Sequence, residues 1–337
     1  MDDRLNIAES GNLYIFSMLA MTALQFFAMF ALIGINSEFG GIETSSWIYY
    51  ALNQMAVIAT TIIYIKSRKK DPVKVLKMNK VPGVKVWILL PFIWIFTIIA
   101  FFPLTQMFND LLYLIGYRGG VAVPFEGGAG VYILSLFIIA IIPAIGEELL
   151  VRGGILSGLF QKNSLFAVFI SALLFSMMHQ NPLQTVYQFF FGVVLAFIVI
   201  FTRSVWAAVF THLLNNAFTL TVSFFAKDMV WFDFGVYNYI IYVACFLVGF
   251  VILVFLLTVL RKLTSDGNLK EKNIFKLYGK ALMGIFTKKG WREFSETLSI
   301  CERCETYVSN RQYMINIYFA IGFAVLWWVV ALIKGFI

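Results

Sequence analysis

Nine apolar stretches, most of them about twenty residues long, set the limits on what this chain can become. They fall near residues 13–35, 46–65, 86–106, 131–151, 164–180, 183–202, 204–225, 237–260 and 312–334. A helix of about 20 residues, rising 1.5 Å per residue, crosses the ~30 Å hydrocarbon layer of a bilayer. Runs of this length and apolarity therefore predict membrane-spanning helices. Composition agrees: 61% of the residues are hydrophobic and only 13% charged, where a soluble domain carries about 25% charged residues. The expected fold class is all-α, a polytopic membrane helix bundle of about eight or nine transmembrane helices. The fifth run is short, which predicts that its far end stops inside the protein. No apolar segment is followed by a small-residue cleavage site, so the first span is expected to direct insertion itself.

The loops predict orientation. Residues 66–85 carry eight Lys or Arg and residues 261–310 carry ten. With alternating spans both segments fall on one side, together with Arg152, Lys162 and Arg203, while the other side offers only Arg118 and Lys227. The positive-inside rule then places the N-terminus and the basic loops in the cytosol and the C-terminus outside. The same rule, with attraction to anionic lipid, accounts for the net charge of +8. No nucleic-acid motif accompanies it, so no nucleic-acid partner is expected. Residues 107–129 form the longest predicted outer loop. In the basic 261–310 segment, GKALMGIFTKKGW (279–291) has the lysines and Trp291 of a surface helix in a headgroup layer, and the segment is a candidate partner-binding surface. Cys245 sits in an apolar run as a packing residue. Cys301 and Cys304 form a lone C-E-R-C, whereas a structural zinc site normally takes four ligands; an ordinary thiol pair is the simpler reading. Three regions result: 1–106, spans with a basic cytosolic loop; 131–225, a core; and 226–337, spans with the basic segment 261–310.

The core is marked by polar residues where they are expensive. IIPAIGEELLVRGG (141–154) places Glu147, Glu148 and Arg152 in a membrane-grade helix, although a charge at mid-bilayer costs about 2.5–3.5 kcal/mol on insertion scales. Glu148 and Arg152 stand at i and i+4, in the favourable order for an ion pair. Glu147 is rotated by about 100° from Glu148 and is left available. Pro143 and Gly146 would loosen this helix, and Gly153–Gly154 would let neighbours approach. The chain has two histidines, His179 and His212, and both lie in or at the end of spans near the acidic one. A single buried His is as well explained by a bond to a neighbouring helix; two beside one acidic span point to a site. Phe175 and His179 share a helix face, as do His212 and Asn216.

One available carboxylate, two imidazoles and an amide inside a membrane suit peptide hydrolysis. A Glu can take a proton from water, a His can hold that water, and a second His and an Asn can stabilise an oxyanion. No G-x-S-x-G motif occurs and no Cys lies in these segments, so serine and cysteine nucleophiles lack support. A metal site competes. Glu147, His179 and His212 have the composition of a catalytic zinc centre with an open position, although no H-E-x-x-H presets two histidines on one turn.

These residues resemble a known family. EELLVRGGIL (147–156), FSMMH (175–179), the FFFG around Gly192 and SVWAAVFTHLLNN (204–216) are similar to the four blocks of the CPBP family. Its members are the CAAX-processing and bacteriocin-processing intramembrane endopeptidases, also called the Abi family. The resemblance covers roughly 131–220 and implies a helix bundle around a buried polar catalytic site that cleaves membrane-associated protein or peptide substrates at a cell membrane, here read as bacterial. Carried over, Glu147 would be the base on a water, positioned with His179. His212 and Asn216 would stabilise the oxyanion, and Glu148 and Arg152 would brace the site. Phe175 and Gly192 are read as scaffold. No cofactor is required on this reading, zinc on Glu147, His179 and His212 being the alternative. Val151 departs from the pattern, where an aromatic commonly precedes the Arg. Two rival functions fit the same composition: a non-catalytic scaffold or bacteriocin-immunity factor that needs only surfaces, and a proton-coupled transporter. The latter lacks the two repeat halves such transporters show.

Overall fold

Each of the nine apolar runs folds as a helix, and the helices differ mainly in how far they continue past the predicted ends. The computed structural model describes residues 4–35, 42–120, 127–160, 162–225, 235–265, 271, 273–302 and 311–337. The runs become α1 (Ile7–Ile35), α2 (Ile42–Ser67), α3 (Val84–Leu114), α4 (Ala129–Leu159), α5 (Ser164–Met178), α6 (Thr185–Thr202), α7 (Val205–Phe225) and α8 (Tyr237–Thr264). Two amphipathic helices follow, α9 (Ile274–Gly284) and α10 (Lys288–Glu302), and α11 (Arg311–Lys334) ends the chain. No strand occurs among the described residues. Among the described residues, seven helices are long and apolar enough to cross a membrane: α1, α3, α4, α6, α7, α8 and α11. The chain is thus an integral membrane protein. Of the remaining two runs, α5 is apolar but has 15 residues, and α2 carries Asn53 and Gln54 among its apolar residues. The third span is longer than expected. It runs on to Leu114, so the predicted 107–129 loop loses its first third to helix. Residues 121–126 of that loop, Lys227, Cys304 and the side chain of Cys301 lie outside what is described.

The basic segments meet on one face of the bundle. Lys70 pairs with Glu9 at 3.6 Å and donates to the Arg4 carbonyl, which brings the N-terminus to the loop after α2. Val205 N donates to Lys77 O (3.2 Å), Trp206 Nε1 to Met78 O (2.9 Å) and Ser204 Oγ to Lys80 O. The same loop is thereby fastened to the turn between α6 and α7. Residues Leu5–Ser10 lie on the end of α4, where a Cβ at Gly158 would stand only 2.9 Å from the Leu5 and Asn6 carbonyl oxygens. Only glycine permits that approach. Ser295 of α10 exchanges hydrogen bonds with Ser164 at 2.8 and 2.9 Å and receives one from Asn163 at 3.3 Å, across the start of α5.

A second set of contacts gathers at the other end. Leu112, Tyr117 and Leu183 are buried together. Arg118 N donates to Gly335 O, and Tyr117 meets Phe336 edge-on at 5.5 Å. So α3 leads from the basic loop to the far face, and the short link between α5 and α6 reaches that far face too. Between these ends the core is apolar. Phe101 stacks on Phe190 at 4.5 Å with Phe246 and Phe250 around it, and α8 presses Gly249 onto the backbone at Ala100.

Candidate active site

The helix that carries the two glutamates is not a plain α-helix. Pro143 has no N–H to give to the carbonyl four residues back, and the preceding turns, Leu136–Ile141, are π-helical. A second π-helical stretch, Leu149–Ile155, begins directly after Glu148 and contains Arg152, Gly153 and Gly154. Single wide turns of this kind occur often at functional sites, because they re-aim side chains without ending the helix.

The result separates the two carboxylates. Glu148 and Arg152 are both fully buried, and Arg152 Nη1 donates to Glu148 Oε1 at 2.8 Å. Arg152 Nη2 donates to the Gly192 carbonyl at 3.1 Å, and the guanidinium lies over the Phe175 ring, 4.2 Å from its centre. A cation desolvated against an aromatic face is stabilised there. Gly192 is as tightly placed: a Cβ would come within 3.1 Å of Ala172 and 3.2 Å of Phe175. Phe175 and Gly192 therefore do more than scaffold duty, since they supply the ring and the carbonyl that hold the buried arginine. The same Glu148 Oε1 accepts from His212 Nδ1 at 2.9 Å.

Glu147 faces the other way. Its Oε1 accepts a 3.0 Å hydrogen bond from Gln54 Nε2 on α2. Its Oε2 is buried with no hydrogen-bond partner among the described residues and stands 3.8 Å from His179 Nε2 and 3.9 Å from His212 Nε2. His179 ends α5, and its Nδ1 bonds the Phe175 carbonyl at 2.8 Å. A carbonyl only accepts, so Nδ1 carries the proton and Nε2 of the neutral ring is a bare lone pair. His212 has the same tautomer when neutral, because its Nδ1 faces a carboxylate. With both rings neutral, two acceptor nitrogens thus lie within 4 Å of the acceptor Glu147 Oε2. An arrangement of that kind asks for a donor between them: a water, an added proton or a cation.

Asn216 is half-buried one turn beyond His212. Among the described residues it is bonded to Asn215 Nδ2, at 3.5 Å, rather than to Glu147 or a histidine. Its neighbour Asn215 is the buried one and accepts a 2.6 Å hydrogen bond from Tyr187 OH. The link after His179 is held firmly. Gln180 has a left-handed backbone, φ 50°, Asn181 caps the Pro182–Gln184 turn, and Ser176 Oγ donates to the Thr185 carbonyl at 2.7 Å. Trp328 Nε1 of α11 donates to Thr185 Oγ1, also at 2.7 Å.

Gln54, Asn215, Tyr187 and Trp328 escape a reading of the sequence. The one available signal was the adjacent amides Asn53–Gln54 in an otherwise apolar helix, since polar side chains in spans usually serve helix contacts or sites. Gln54→Leu is expected to lower turnover about tenfold or more, in keeping with loss of a hydrogen bond to a charged group, while the protein still accumulates in membranes; a rate assay beside an immunoblot checks both.

Residues 129–218 match the family model described as Type II CAAX prenyl endopeptidase Rce1-like. No curated protein and no solved structure gives a significant match to the chain. The matched stretch holds Glu147, Glu148, Arg152, His179, Gly192, His212 and Asn216; Gln54 and Trp328 lie outside it.

Proposed function

We propose that this chain, which carries at residues 129–218 an Rce1-like domain consistent with the CPBP family, hydrolyses peptide bonds of membrane-associated substrates with Glu147 as general base. The observation that carries the reading is the unpartnered Glu147 Oε2 facing two imidazole Nε2 atoms at 3.8 and 3.9 Å. A water there donates one hydrogen to Glu147 Oε2 and the other to His179 Nε2. Glu147 takes the water proton as oxygen attacks the peptide carbon, and that proton passes to the departing amine as the C–N bond breaks. His212, protonated at Nε2, and the Asn216 amide donate to the oxyanion that forms. In that form Glu148, on the opposite ring nitrogen, faces the positive charge, and Arg152 keeps Glu148 in place. Gln54 fixes Oε1 and so presents Oε2 to the water.

Zinc would use the same Glu147, His179 and His212. The donor chemistry fits, because with both rings neutral each Nε2 atom is bare and both Nδ1 atoms are held by acceptors, as the outer partners of ligating histidines usually are. The spacing is wide: tetrahedral ligands at about 2.0–2.1 Å stand about 3.3 Å apart, and among the described residues no group of three or more His, Cys, Asp or Glu is drawn close enough to hold an ion. When bound, zinc would supply a water ionised near neutral pH. The expected result is that purified protein cleaves a reporter peptide with undiminished rate after chelation and contains far less than one equivalent of metal by mass spectrometry. Activity that disappears on chelation and returns with zinc would move the reading to a metalloenzyme. New peptide N-termini found in wild-type membranes and absent from a Glu147→Ala strain would test the proteolysis itself and identify the substrate.

A further inference from the structure

We infer that the site receives its peptide from the membrane face opposite the basic loops, so that the substrate class is a polypeptide segment exposed outside the cytosol at the membrane surface. The inference rests on the endopeptidase reading for the word substrate, but not for the direction of opening.

The exposure of the site residues is graded in one direction. The His179 side chain is 17% exposed and Glu147 8%, while His212 is 1% and Glu148 and Arg152 are 0%. His179 stands at the end of α5 farthest from the basic loops, and four residues later Leu183 is buried against Leu112 and Tyr117, at the far end of α3. Toward the basic face the path is filled. Every residue from Leu149 to Phe160 is buried, as are Val194–Ala196 and Ile198–Thr202 of α6 and Val205 and Ala207–Val209 of α7. The helix ends on that side are closed by three straps: Leu5–Ser10 on Gly158, the Lys77–Lys80 carbonyls on Ser204–Trp206, and Ser295 on Asn163–Ser164. A peptide presented from the basic side would have to displace these straps and then a packed core.

The open side has different chemistry. Gln180, Asn181 and Gln184 follow His179 on the link, Asn216 lies one turn beyond His212, and all four are half-buried. No Asp, Glu, Lys or Arg occurs from His179 to Thr202. Uncharged amides donate and accept, as the backbone of an extended peptide does, and they offer no cation to a free carboxylate. With the basic face in the cytosol, as the loop asymmetry predicts, the opening is extracytosolic.

The test begins with labelling, which needs no activity. Cys245, Cys301 and Cys304 are replaced by Ser, and single cysteines are placed at Gln180, Gln184 and, in the first turn of α3 next to the basic loop, Lys85. Intact cells are treated with a membrane-impermeant maleimide, before and after permeabilisation. Gln180→Cys or Gln184→Cys should label equally in both conditions, and Lys85→Cys only after permeabilisation; two link positions guard against a variant that fails to fold. Labelling of both link positions only after permeabilisation, or in neither condition, would overturn the inference, as would labelling of Lys85→Cys in intact cells. Tethered reporters carrying a substrate sequence on one or the other side of the membrane then supply the functional arm. Glu147-dependent cutting of the outer reporter supports the assignment, and cutting of the inner one alone overturns it. If the protein cuts neither, the endopeptidase reading fails while the labelling still decides which face the site opens to.

Discussion

Glu147→Gln is expected to reduce peptide cleavage by about 10²–10⁴-fold, the span that positioned acid–base groups contribute, with little change in expression or thermal stability. The substitution keeps size and hydrogen-bonding capacity: the amide oxygen can still accept from Gln54 Nε2, which now meets Glu147 Oε1 at 3.0 Å. What disappears is the acceptor at Oε2 able to take a proton, between the Nε2 atoms of His179 and His212. A fall in kcat with KM nearly constant would place the loss in the chemical step. Normal turnover by purified Glu147→Gln protein would refute the general-base role outright.

The second large effect is on folding. Arg152→Met leaves Glu148 buried at 0% exposure without its cation, and breaking one partner of a buried pair destabilises by about 3–5 kcal/mol. It also frees the Gly192 carbonyl and empties the face of Phe175. The expected outcome is a much lower unfolding temperature in detergent and poor accumulation in membranes. The double substitution Glu148→Gln/Arg152→Met should recover much of that stability, because it removes both charges together, but should not recover turnover, because His212 Nδ1 loses its carboxylate partner. Stability regained without activity would separate the brace from the chemistry. Arg152→Lys should fall between, since a single ammonium cannot serve Glu148 and Gly192 with a planar fork. A double variant as unstable as Arg152→Met would show that the pair is not the source of the effect.

The degree to which the sequence announced this arrangement follows from how local each interaction is. The spans were largely legible because hydrocarbon thickness sets helix length: among the described residues all nine runs are helical, and seven of the helices are long and apolar enough to cross a membrane. The relation of Glu148 to Arg152 was legible because i, i+4 is a property of one helix turn, even with a π-helical stretch between them. Phe175 beside His179 was legible for the same reason. Gln54 was not, because it reaches Glu147 across 93 residues through the packing of α2 on α4. The roles of Phe175 and Gly192 toward Arg152 were missed likewise: neither spacing nor residue type announces a ring beneath a guanidinium. The full extent of α3 was hidden by Gln106, Asn109 and Asp110, polar residues that read as loop but lie in the last turns of a helix.

The hydrogen bond from Trp328 to Thr185 bears on where the working unit begins and ends. Thr185 opens α6, directly after the link that follows His179, and Trp328 comes from the last described helix, 143 residues later. Gln54 makes the corresponding reach from the second helix. The stretch that resembles other proteins, 129–218, is thus a recognisable signature without being a separable module. Expressed alone it would keep Glu147, His179 and His212 while losing the partners that aim the first two. On the proposed reading, trimming to the matched boundaries would remove the Gln54 and Trp328 contacts, which carry no motif.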